Sequence, residues 1–115
     1  MTVSYLYERR RKYRLRYPIA ERPVLLINDV SYRVSDLSEG GMQVVFGEDQ
    51  RVPEDFPFKG TIRYVDGEEV VIVGKVLRSN QKGFTSEFEQ GVSLRRIMRD
   101  QIRLRKQYPQ HFSAD

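Results

Sequence analysis

Between positions 24 and 88 the chain is interrupted by turn signals every few residues, and this spacing restricts the fold more than any other feature. Val24-Leu25-Leu26-Ile27 is an apolar run of strand length, Asn28-Asp29 is a turn pair, and Val30, Tyr32 and Val34 then alternate with Ser31, Arg33 and Ser35. A period of two sends successive side chains to opposite faces of a strand, so this second segment reads as half exposed. Residues 42–46 begin a third strand, while 47–59, with Pro53, Pro57 and four acids, read as a loop. Strands over 61–65 and 70–78 flank Asp66-Gly67, a pair suited to the positive φ angles of a tight hairpin. Gln81-Lys82-Gly83 marks another turn, and 84–88 form a last strand with Phe84, Ser86 and Phe88 on one side. About six short strands without crossover helices predict a mainly β fold, a small six-stranded antiparallel barrel that is closed or nearly so.

The pattern changes after Gly91. Ser93 is placed to cap a helix in which Leu94, Ile97, Met98, then Ile102 or Leu104, and Tyr108 recur at helical spacing, with Pro109 following to stop it. Arg95, Arg99, Arg103 and Lys106 occupy the other face. Such a helix is expected to lay its apolar stripe over the open end of its own barrel. A chain of 115 residues with 39% hydrophobic content supports one core. The predicted organisation is a single domain, 1–115, with an arm at 1–22, the barrel at 23–91 and the helix at 92–108.

Composition narrows the function classes. With no cysteine there is neither a disulfide framework nor a thiolate zinc site, and a reducing, cytoplasmic setting is expected. The stretch up to Glu8 lacks the apolar region of a signal peptide, and no apolar run reaches transmembrane length. His111, the sole histidine, follows Pro109 and reads as a loose surface residue. No nucleophile elbow, phosphate loop, zinc spacing or dinucleotide fingerprint occurs, so neither an enzyme nor a metal or cofactor site is expected.

Charge is segregated along the chain. Residues 1–22 carry seven Arg and Lys against two Glu, residues 23–91 carry seven against twelve acids, and residues 92–115 carry six against two. A mildly acidic body with basic ends suits an anion-seeking arm, although any one such run is also what a solvated surface looks like. The basic run Arg9-Arg10-Arg11-Lys12-Tyr13-Arg14 contains one arginine pair four apart, Arg10 and Arg14, because the fourth residue after Arg9 is Tyr13 and after Arg11 is Leu15. A guanidinium fork matches O6 and N7 of guanine and also pairs with phosphate, so two of them can clamp one nucleotide. Tyr17-Pro18 biases the arm toward extended structure, and it is expected to be mobile.

The turn Asp36-Leu37-Ser38-Glu39-Gly40-Gly41 supplies complementary chemistry. Asp36 can accept from the donors of a guanine edge, Ser38 can donate or accept, and Gly41 lets a base or a backbone come close. The same residues are also ordinary turn formers, with Asp and Ser capping backbone N–H groups and glycine taking positive φ. Small barrels with basic ends and tyrosines can also stack single-stranded nucleic acid, which leaves a generic nucleic-acid binder as an alternative.

Arg10 and Arg14 in an RxxxR spacing, then Asp36, Ser38 and Gly41 in a DxSxxG spacing after the second predicted strand, resemble the signature of the PilZ domain over nearly the whole chain. That resemblance implies a non-catalytic bacterial receptor for the second messenger cyclic di-GMP. It implies that the arginines grip guanine and phosphate and that Asp36, Ser38 and Gly41 complete the pocket. A basic residue before the first motif arginine, here Arg9, goes in that family with a stacked pair of ligands. The expectation is therefore two mutually intercalated cyclic di-GMP molecules per protomer, with Arg9 as a sixth ligand-binding residue. The output implied is a downstream protein partner in motility, exopolysaccharide or biofilm control. A protein interaction module without a ligand is the other alternative.

Overall fold

In the computed structural model, which describes residues 13–113, Asn28 (φ 48°) and Asp29 (φ 68°) both take the left-handed backbone that a two-residue hairpin turn requires. The described elements run in order as strand β1 (Leu15–Arg16), a one-turn 3-10 helix (Ile19–Glu21), β2 (Val24–Ile27), β3 (Val30–Leu37), β4 (Gly41–Val45), β5 (Pro57–Arg63), β6 (Glu69–Ser79), β7 (Gly83–Gln90), helix α1 (Leu94–Gln107) and the single turn α2 (Pro109–Phe112). Neighbouring strands follow the order β3-β2-β5-β6-β7-β4, and β4 pairs back onto β3. All pairings are antiparallel, so the six strands close into the expected barrel and leave no long edge exposed. β1 is an extra strand on β3, beyond the end of β2 on the same side.

Several strand limits differ from the sequence expectation. β5 starts at Pro57 rather than after a loop to 59, because Pro57, Phe58 and Lys59 pair with Lys75, Gly74 and Val73. Asp66-Gly67 sits in a longer loop than a two-residue hairpin, with Gly67 alone at positive φ (93°) and Asp66 Oδ1 accepting from Glu68 N at 3.0 Å. β3 runs through Asp36 and Leu37, so the turn of the second motif is only residues 38–40.

The alternation along β3 breaks at Ser35. Tyr32, Val34, Ser35 and Leu37 are buried, and the register with β4 slips between Val34 and Asp36. This is a β-bulge, one extra residue in β3, with Ser35 Oγ donating to the Gln43 carbonyl at 3.2 Å. Without it the period of two would turn Asp36 inward and Leu37 outward.

One end of the barrel, where β3 and β7 begin, is filled by Tyr32, Phe46, Phe58 and Phe84, with ring centroids 5.8 to 6.3 Å apart. The opposite end is covered by α1, whose N-cap Ser93 accepts from Arg96 N at 3.1 Å. The helix packs on its own barrel as expected, but with only part of its apolar stripe. Ile97 and Leu104 are buried together with Arg96 and Asp100, whereas Leu94, Met98 and Ile102 remain exposed. An ion-pair network, described below, sets the rotation of the helix. The mobile-arm expectation falls mainly on residues 1–12, outside the described residues.

Candidate functional site

The described arm is tied to the rim by strand pairing. Leu15 lies opposite Leu37 and Arg16 opposite Asp36, which brings Arg14 alongside Ser38 as the two chains continue. Leu15 and Leu37 are both fully buried, so the neighbouring positions on each strand face away from the core. The bulge at Ser35 therefore has a direct consequence: it turns Asp36 onto the same outer face as Arg14, Arg16 and Ser38.

Ser38 spends its hydroxyl on the turn. Its Oγ accepts from Gly40 N at 3.3 Å and Gly41 N at 3.2 Å and donates to the Gly41 carbonyl at 3.2 Å, while Ser38 N donates to the same carbonyl at 2.9 Å. One donor and two acceptor sites are all that a hydroxyl has, so this side chain shapes the turn first. Phe88 N donates to the Gly40 carbonyl at 2.8 Å and fixes the turn to β7. Gly41 does not take the positive φ of an ordinary turn glycine; it serves the close backbone approach expected of its residue type. A Cβ there would collide with the carbonyl oxygen of Ser86, so glycine is required by the close approach of β4 to β7.

Arg14 is exposed and forms a wall shared by two clefts. The first, about 460 Å³, is bounded by Ser38, Gly40 and Gly41 on one side and by Leu77, Arg78, Thr85, Ser86 and Glu87 on the other. Asp36 lines the second, about 330 Å³. Arg14, Asp36, Ser38 and Gly41 thus gather at one rim, on either side of a single guanidinium. Arg9 and Arg10 lie outside the described residues.

Residues 8–108 match the family model of the PilZ domain. The chain belongs to the PilZ family. Its PilZ fold is similar to the crystal structure of YcgR from Escherichia coli in complex with c-di-GMP, at 17% identity and a TM-score of 0.57, over 90% of this chain and 49% of that one. The chain thus spans about half the length of YcgR. A Legionella protein, Lpg0364, whose crystal structure is described as that of an uncharacterized protein, is similar at 16% identity and a TM-score of 0.53, over 83% of this chain and 96% of that one. At these identities the likeness is one of fold. No curated protein matches the chain.

Behind the rim of this PilZ domain, α1 is held by buried charge. Arg96 Nε donates to Asp100 Oδ2 at 3.1 Å, its Nη1 donates to Asp66 Oδ2 at 2.9 Å and Glu68 Oε1 at 2.5 Å, and its guanidinium lies 3.8 Å from the centre of the Tyr64 ring. Burial alone would lower the pKa of Arg96, but the hydrogen bonds to Asp100, Asp66 and Glu68 outweigh it and hold the guanidinium charged. Tyr17 OH donates to Asp100 Oδ2 at 3.1 Å, and burial followed by the Asp100 charge pushes its phenol well above the ordinary range. Burial likewise pushes Tyr64 up to about 12, against the opposing pull of Arg96. The amide of Glu68, and then Arg96, hold Asp66 below the usual carboxylate range.

The same helices grip the arm at two further points. Tyr108 OH donates to Glu21 Oε2 at 2.9 Å and Arg103 Nη1 pairs with Glu21 Oε1 at 3.0 Å. His111 is no loose surface residue: its Nε2–H donates to the Arg16 carbonyl at 3.0 Å, and Arg16 Nη2 donates to the His111 carbonyl at 3.3 Å. Sequence reasoning missed Leu77, Arg78 and Thr85, which face the motif turn only because β6 and β7 complete the barrel beside β4. Among the described residues no cluster suited to a metal ion occurs, and no helix is long and apolar enough to cross a membrane.

Proposed function

We propose that this PilZ domain is a cytoplasmic, non-catalytic receptor for cyclic di-GMP, binding through Arg9, Arg10, Arg14, Asp36, Ser38 and Gly41. The observation that carries the reading is the β1–β3 register, which sets Arg14 beside Ser38 and between Asp36 and Gly41. Guanine offers an acceptor edge for an arginine fork and donors for a carboxylate, and Arg14 and Asp36 supply both at one rim. The c-di-GMP bound in the YcgR crystal structure, whose fold this chain shares, agrees with that chemistry. Ligand capture by the arm then alters the surface formed by the arm and α1, and so signals to a downstream partner in motility, exopolysaccharide or biofilm control. The signal is limited by the difference in ligand affinity between the two arm conformations.

Titration calorimetry with cyclic di-GMP, against GTP and cyclic di-AMP at fixed salt, tests the reading. Selective binding of the guanine ligand is expected, and Arg10→Ala and Arg14→Ala should each lose about 1–3 kcal/mol, the scale of a bidentate base contact. Wild-type affinity in both variants would sink the site assignment. Stoichiometry near two, falling toward one in Arg9→Leu, is expected if Arg9 supports a stacked ligand pair, and an unchanged number would count against it.

A further inference from the structure

The second cleft beside Arg14 is not built from the motif alone. Among the described residues its lining is Tyr13, Arg14, Arg16, Asp36, Arg105 and Phe112, which gathers three arginines around one aspartate. Two of these residues belong to the C-terminal helices: Arg105 to the last turn of α1 and Phe112 to α2. Phe112 is buried, and the Arg105 guanidinium lies 5.0 Å from the centre of its ring. An arginine resting on a fixed aromatic face has less freedom to lose when it binds. Among the described residues no carboxylate pairs with Arg105, so its N–H donors remain available.

We propose that Arg105 is an anion contact of the ligand site and holds a phosphodiester oxygen of the cyclic dinucleotide; this rests on the receptor reading above. Two phosphodiesters accompany the two bases of such a ligand, so a phosphate contact beyond those of the motif arginines adds to its grip. Arg14 is common to both clefts, so a ligand gripped there extends over Asp36 toward Arg105. A guanidinium and a phosphate form a charge-assisted, two-pronged hydrogen bond, which lysine reproduces as charge but not as geometry. The contact gives α1 a direct part in binding. Ligand would then bridge the arm, the end of β3 and the last turn of the helix.

Calorimetric titration with cyclic di-GMP of the wild type, Arg105→Gln, Arg105→Lys and Arg14→Ala decides the matter, with melting temperatures measured without ligand. Arg105→Gln gives up the guanidinium over Phe112 but keeps an exposed, polar helix former, and is expected to melt close to the wild type while binding about tenfold more weakly or worse. Arg105→Lys should recover part of that loss. Wild-type affinity in Arg105→Gln alongside loss in Arg14→Ala would overturn the Arg105 contact and leave the receptor reading standing. Failure of the wild-type protein to bind would overturn both. Equal weakening in the Gln and Lys variants, accompanied by lower melting temperatures, would assign Arg105 to packing and also overturn the proposal.

Discussion

Arg96 and Asp100 keep only 8% and 3% of their side chains exposed, and the pair lies between the barrel and the helix. Taking charge out of water is costly, and here three carboxylates and a ring face offset that cost for one guanidinium. Arg96→Met removes the cation and leaves Asp100 buried with Tyr17 as its remaining partner. It is expected to cost about 3–5 kcal/mol in urea unfolding, with the double variant Arg96→Met, Asp100→Leu recovering a substantial part. In the sequence these two look like an ordinary surface pair one helical turn apart. Their burial is invisible there because Asp66, Glu68, Tyr64 and Tyr17 arrive from distant segments. Gly41 makes a similar point: its residue type signals tight geometry, but whether a turn angle or a neighbouring strand demands it depends on β7. Gly41→Ala should lower stability by about 1–3 kcal/mol as β4 and β7 are forced apart. A loss of ligand binding in that variant is therefore a statement about the fold as much as about the site.

At the scale of elements, turns and caps are legible because their residue types carry the conformation. Asn28-Asp29 tolerate positive φ, and Ser93 offers an acceptor to the first turn of α1. Ser93→Ala is expected to cost about 1 kcal/mol, read as a lower urea midpoint with an unchanged slope. The bulge in β3 is not legible, since it is a relation between two strands and Ser35 fits an unbroken alternation equally well. Deleting Ser35 would remove the extra residue, bring Val34, Asp36 and Leu37 into regular alternation against Val44, Gln43 and Met42, and leave Asp36 on the outer face. Such a variant is expected to keep a cooperative unfolding transition, and its loss would show that the bulge itself is needed by the barrel. The burial of α1 also escaped the apolar pattern. Leu94, Met98 and Ile102 form as good a stripe as Ile97 and Leu104, and the ion pairs of Arg96 chose between them.

For the molecule as a whole, the end closed by α1 is also the end that carries the arm and the motif turn, because β3 ends, β4 begins and β7 ends there. Tyr17 and Tyr64 lie beside Arg96 just beneath that rim, and the ionisation of the two phenols reports on its integrity. Both phenols have folded pKa values above the ordinary value near 10, so the folded state disfavours their ionisation. Their contribution is complete below about pH 10 and shrinks as pH rises from there through about 12 for Tyr64. Urea midpoints should accordingly fall between pH 9 and pH 11, given as about two units around the free phenol value. Among the described residues the buried Tyr64 OH has no hydrogen-bond partner, so Tyr64→Phe should unfold much as the wild type does at neutral pH and show a smaller alkaline loss. An equal loss in both proteins would place the alkaline sensitivity elsewhere. From sequence alone came the β-rich barrel, the capped helix and the motif residues, all of which are encoded by local periodicity and residue chemistry. Only the tertiary structure decided that Asp36 faces outward, that Arg14 stands beside Ser38, and that the helix buries a charged face next to them. Those outcomes depend on register, closure and desolvation between segments far apart in the chain, and no local pattern contains them.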